Sequence, residues 1–81
     1  MPKIKRQDII PVSRSSLAQI AYNELRESII TNRVHAGDIL SEQVIAQQLH
    51  TSRTPVHEAL ALLEQDGLVQ IRRGIGGLVT P

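Results

Sequence analysis

Cysteine, tryptophan and phenylalanine are absent from these 81 residues, and Tyr22 is the only aromatic. Without cysteine there is no disulfide, no thiolate metal site and no cysteine nucleophile, a usage that fits a reducing compartment. Without other aromatics the core must be aliphatic almost throughout. A chain this short buries only about 60% of the surface its unfolded form exposes, so a large enclosed substrate pocket is not expected. Long apolar runs are missing too. The longest aliphatic stretch is Ala59 to Leu63, far below the roughly 18 residues needed to cross a bilayer, and Met1 to Arg6 is not followed by a signal-type apolar segment. The expectation is one soluble, cytoplasmic domain.

Neither sign of charge dominates the sum, which is +1, but the charges are unevenly placed. Lys3, Lys5, Arg6 and Arg14 against Asp8 make residues 1–15 basic, and Arg72 and Arg73 do the same for the C-terminal end. Between them Arg26, Arg33 and Arg53 are outnumbered by Glu24, Glu27, Asp38, Glu42, Glu58, Glu64 and Asp66. Such a chain would meet a polyanion through its extremities and a few local cations. Ordinary solvated charge explains the same pattern equally well.

Residues 1–15 mix charge, proline and serine without a sustained period and read as a mobile N-terminal arm. From Leu17, apolar side chains recur at Ala21, Leu25 and Ile29 with Ile20 and Tyr22 beside them, which predicts a helix to about Asn32, capped by Ser15 or Ser16. A turn containing Gly37 leads to a short extended pair, Ile39 and Leu40. Ser41 then caps a second helix whose first acid, Glu42, suits the positive end of the helix dipole, with Val44, Ile45 and Leu49 facing inward. His50 to Arg53 form a tight connection. In the third helix Val56, Ala59, Leu60 and Leu63 share one face, with Thr54 as the better N-cap, Ser52 as its rival, and Gly67 as a left-handed C-cap. Leu68 to Ile71 is a strand, and Gly74, Ile75, Gly76 and Gly77 form a flexible tip before Leu78 and Val79. The sum is an α+β winged helix-turn-helix: three helices, a small antiparallel sheet and a C-terminal β-hairpin wing.

In a helix-turn-helix the second helix of the unit enters the DNA major groove by its N-terminal end. With the apolar face of the third helix buried, Ser52, Arg53, Thr54 and His57 remain at its exposed front. There hydroxyls and backbone amides can bind phosphate, and Arg53 can make paired hydrogen bonds to guanine. The same residues would equally serve a helix that binds nothing, as caps and a solvated charge. Arg72, Arg73 and Gly74 on the hairpin form a second cationic tip whose backbone can lie close to DNA, most naturally along the minor groove.

Other chemistries fit poorly. The glycines of the tip lack the third glycine and the following helix of a dinucleotide-binding fingerprint, and the base-stacking aromatics of an RNA-binding strand are missing. His35, His50 and His57 show no spacing for a helical zinc site, and a serine nucleophile near His57 would lack a water-excluding pocket. No enzyme, cofactor or metal is expected.

The stretch GDILSEQVIAQQLHTSRTPVHEALALLEQDGLV, followed by RRGIGGLV, closely resembles the DNA-binding domain of the GntR family of bacterial transcription regulators. Its Leu-Ser-Glu-Gln and Ser-Arg-Thr-Pro-Val-x-Glu-Ala-Leu wording points to the FadR-like branch. The resemblance spans residues 16–79 and implies a metabolite-responsive regulator, most often a repressor in such families, that binds a palindromic double-stranded operator as a homodimer. A separate C-terminal domain, all-helical in this branch, would bind the small-molecule effector, with Thr80 and Pro81 beginning the linker to it. The resemblance further implies that Arg53 and Thr54 read or grip DNA, that Ser52 supports a phosphate contact, that Arg73 with Gly74 makes the wing contact, and that Ser41 and Gln43 touch DNA from the preceding helix. Two residues depart from the pattern. Gln43 replaces an Arg found in some relatives, and His57 stands where most have Arg, offering one hydrogen bond instead of a forked pair. A winged-helix protein-interaction module without DNA binding is the competing reading.

Overall fold

The computed structural model describes the backbone from residue 12 and side chains from residue 16 onward. Its elements are α1 (Val12–Ile30), β1 (Ile39–Ser41), α2 (Glu42–Gln48), α3 (Arg53–Gln65), β2 (Val69–Arg72) and β3 (Gly76–Val79). Residues 1–11 of the expected arm lie outside the described residues. From Val12 the backbone is helical, so Ser15 and Ser16, read as caps, sit within α1. Apolar periodicity marks where a helix is packed, not where it starts.

α1 buries Ala18, Ala21 and Leu25, half-buries Tyr22 and Ile29, and packs chiefly along α3. Leu17 and Ile20, expected on that face, are 43% and 52% exposed. An unbroken four-residue spacing drifts around a helix by about 40° per step, so the packed stripe runs through Ala18 instead of Leu17. The C-terminus of α1 is closed by the Ser28 carbonyl, which accepts from Arg33 N–H at 2.9 Å and Val34 N–H at 3.1 Å.

Ser41 caps α2 as expected, its hydroxyl oxygen accepting from Val44 N–H at 3.2 Å. The buried residues of α2 are Ile45 and Ala46, while Val44 is 48% exposed, contrary to its expected inward place. A seven-residue helix has one narrow face to bury, and Ile45 and Ala46 hold it, with Leu49 half-buried just beyond its end. The turn to α3 is a left-handed cap with histidine in the position glycine usually takes. His50 has φ 55°; its N–H donates to Gln47 at 3.2 Å and Thr51 N–H to Ala46 at 3.0 Å, the paired bonds of a Schellman closure.

The N-cap of α3 is Ser52 and not Thr54, so Pro55 occupies the third helical position and is buried. This costs no hydrogen bond, because none of the first four N–H groups of a helix has an intrahelical partner. Val56, Ala59, Leu60 and Leu63 are fully buried, and burying a Val- or Leu-sized side chain contributes about 1.5–3 kcal/mol. Gly67, at φ 80°, ends α3, with Gly67 N–H to Glu64 and Leu68 N–H to Leu63 both at 2.9 Å. The Tyr22 hydroxyl donates to Asp66 at 2.5 Å, tying α1 to this end. That carboxylate, by accepting the bond and by its charge, pushes the Tyr22 phenol above its ordinary value.

The sheet order is β1-β3-β2, antiparallel throughout. Gly76 and Gly77 do not belong to the tip as expected; they lie buried in the central strand, β3. A Cβ on Gly76 would stand 1.9 Å from the Leu40 carbonyl oxygen, and one on Gly77 would stand 3.1 Å from Leu60. Glycine is therefore needed for β1 and α3 to close on β3. The result is a winged helix-turn-helix of three helices and a three-stranded sheet.

Candidate nucleic-acid interface

The front of α3 is exposed at Ser52, Arg53, Thr54 and His57, because the fully buried Val56, Ala59, Leu60 and Leu63 turn the opposite face inward. Ser52 makes no side-chain cap hydrogen bond, so its hydroxyl is not spent on the amides of the first turn. Those amides and the dipole behind them favour an anion.

Glu42, at the start of α2, reads in the sequence only as a favourable charge for the helix dipole, yet it organises this surface. Its side chain is 12% exposed. One carboxylate oxygen meets the Arg53 guanidinium at 3.3 Å and the other meets His57 Nδ1 at 2.5 Å. Its backbone N–H donates to the Ile75 carbonyl of the hairpin tip at 3.0 Å. One residue thus joins α2, α3 and the wing. No spacing in the chain announces this, since Arg53 and His57 lie 11 and 15 residues beyond Glu42 and meet it only once the two helices cross.

The remaining candidate residues surround that junction. Ser41 is half-buried, with its hydroxyl engaged in capping, and Gln43 is exposed on the first turn of α2. On the wing, Arg72, Arg73 and Gly74 are all exposed. Arg72 donates to the Gln70 side chain at 3.1 Å. Ile75 N–H closes the tip onto the Arg72 carbonyl at 3.0 Å, and Gly74 adopts φ 76°. Fold and hydrogen bonding therefore bring the α2 and α3 fronts together directly, and the wing joins them through its main chain at Ile75. His35 pairs with Asp38 in the turn before β1, away from this group in the chain, and His50 serves the helix-turn-helix connection. Among the described residues no cluster of three or more His, Asp or Glu could hold a metal, and no helix is long and apolar enough to cross a membrane.

Residues 17–79 match the family described as bacterial regulatory proteins, gntR family. The chain is 47% identical over 66 residues to an HTH-type transcriptional regulator in the TAR-I ttuE-ttuC' intergenic region of Agrobacterium vitis, covering 79% of this chain and 39% of that protein. It is 39% identical over 59 residues to the gluconate operon transcriptional repressor of Bacillus subtilis strain 168, covering 73% and 24%. With the Uxu operon transcriptional regulator of Escherichia coli K12 it shares 44% over 64 residues, covering 73% and 25%. Among solved structures it resembles Lar, which controls the expression of the Listeria monocytogenes agr system, with TM-score 0.69 and 28% identity over 80% of this chain and 30% of that one. The chain thus spans a quarter to two fifths of the curated relatives named here.

Proposed function

We propose, because the chain belongs to the gntR family of bacterial regulatory proteins, that its helix-turn-helix DNA-binding domain recognises one operator through the surface gathered around Glu42. The family is one of transcription regulators and not of enzymes. In this reading α3 enters the major groove, where Arg53 reads a guanine edge and Thr54, Ser52 and the first-turn amides hold phosphate. Gln43 and Ser41 touch the flanking backbone from α2, His57 adds one hydrogen bond, and Arg72, Arg73 and Gly74 follow the adjacent groove. The observation that carries it is the attachment of both cationic tips to Glu42, by its side chain to α3 and by its main chain to the wing.

The finer reading is a FadR-like regulator acting in the cytoplasm as a repressor, as the name of the gluconate operon repressor describes for that protein. It binds a palindrome as a homodimer, two copies placing their recognition helices in successive major grooves, and a separate effector domain of the whole protein senses a small metabolite. Selection of bound duplexes from a randomised pool tests this. The expected product is an inverted repeat whose affinity falls steeply with salt, with a slope of about −0.9 per neutralised phosphate. Absence of duplex binding even at low salt would sink the reading and favour a protein-interaction module.

A further inference from the structure

Glu42 places a carboxylate on the surface that the proposed function turns towards a polyanion. Its two oxygens are occupied by Arg53 at 3.3 Å and His57 at 2.5 Å, and the group is 12% exposed against 49% for the Arg53 side chain. Glu58 lines the same shallow depression with Arg53, Thr54 and His57. Charge alone makes this a poor design for gripping phosphate, and a structural bridge between α2 and α3 does not require an ion pair at the leading tip.

We infer that Glu42 is a positioning residue that trades affinity for discrimination: it holds the Arg53 guanidinium in a base-reading pose and withholds it from whichever phosphate lies nearest. This rests on the DNA-binding reading above. On an arbitrary duplex, Arg53 stays paired with Glu42 and adds little to the electrostatic term that supplies non-specific binding. On the right base pair the planar fork keeps Glu42 on one side while its other N–H groups reach guanine O6 and N7, the geometry to which arginine is suited. Because the side chain is already held, less rotamer freedom is lost when it docks. His57 occupies the second oxygen, which keeps the carboxylate from rotating to meet Arg53 with both. The Glu42 N–H bond to Ile75 sets the same pose relative to the wing.

The test uses the full chain, a duplex selected by the wild type and a shuffled duplex of equal length, each titrated over a range of salt. Glu42→Gln keeps shape and removes the charge. It should bind the shuffled duplex more tightly, steepen its salt slope by about 0.9 as Arg53 takes a phosphate, and lower the selected-to-shuffled affinity ratio by roughly tenfold. Glu42→Asp, which keeps a carboxylate beside Arg53 and His57, should return the slope towards the wild-type value. Glu24→Gln, removing the same charge from α1, should leave the ratio unchanged. Proportional loss of both affinities in Glu42→Gln would mark a merely structural bridge and overturn the inference, as would an unchanged ratio or a ratio shifted equally by Glu24→Gln. A wild type that does not prefer its selected duplex refutes the DNA-binding reading itself, and is told apart because it needs no variant.

Discussion

Replacing Gly76 by alanine should cost this domain a large part of its stability, and the sum is traceable. The new Cβ would stand 1.9 Å from the Leu40 carbonyl oxygen, 2.9 Å from the Leu40 carbonyl carbon and 3.0 Å from the Glu42 nitrogen. All three atoms are backbone, so no side chain can rotate away, and β1 must part from β3 at the Ser41–Gly76 pair. Forced overpacking costs about 1–3 kcal/mol. Holding a non-glycine residue at φ 154° adds about 1–3 kcal/mol, and losing the neighbouring Glu42–Ile75 hydrogen bond adds about 1 kcal/mol. A chain of this length has about 4–12 kcal/mol to lose. The matched control is Gly74→Ala, at φ 76° with nothing within 4 Å of the added carbon, where only the left-handed backbone penalty of about 1–2 kcal/mol applies. Thermal melts followed by far-ultraviolet circular dichroism should show Gly76→Ala lowered by about three times as much as Gly74→Ala, about 12 °C or more against about 4–16 °C, at about 4–8 °C per kcal/mol. Equal shifts in the two variants would refute the reasoning that strand approach, on top of backbone conformation, demands glycine in β3.

Arg53→Ala should weaken binding to a selected duplex by about 1–3 kcal/mol, and unchanged affinity at fixed salt would rule out base reading. Arg73→Ala should weaken selected and shuffled duplexes alike and lower the salt slope by about 1; loss confined to one sequence would show that the wing reads bases. His50→Gly, relieving the left-handed φ of 55°, should stabilise the chain by about 0.5–1 kcal/mol, and a lower melting temperature would contradict the assigned strain. Tyr22 is the only tyrosine, so its absorbance titration is site-specific: the folded midpoint should lie above about 10 and fall in Asp66→Asn. Because the folded value is raised, the stabilisation holds below the unfolded value and is lost as pH rises through the folded one, so alkaline destabilisation should be shallower in Tyr22→Phe.

Local chemistry settled much of this molecule. The Val56, Ala59, Leu60, Leu63 face, the Ser41 and Gly67 caps and the exposed front at Arg53 follow from helical spacing, dipole and backbone preference, which act over a few residues. Contacts between elements decided what spacing leaves open. Ser52 rather than Thr54 caps α3 because Pro55 is tolerated throughout a first turn. Ala18 rather than Leu17 is buried because the packed stripe drifts around the helix. Gly76 and Gly77 serve a buried strand because β1 and Leu60 press against it.

The placement of Glu42 belongs wholly to the second kind. As a residue in a chain it is an acid after a cap. Only the crossing of α2 and α3 brings its oxygens to Arg53 and His57, and only the closed sheet brings its N–H to Ile75. Sequence determined by itself that two cationic tips exist, since their residue types and short-range spacing suffice. Their connection through one residue, Glu42, had to await tertiary structure, because it depends on the relative placement of three elements that no local preference specifies.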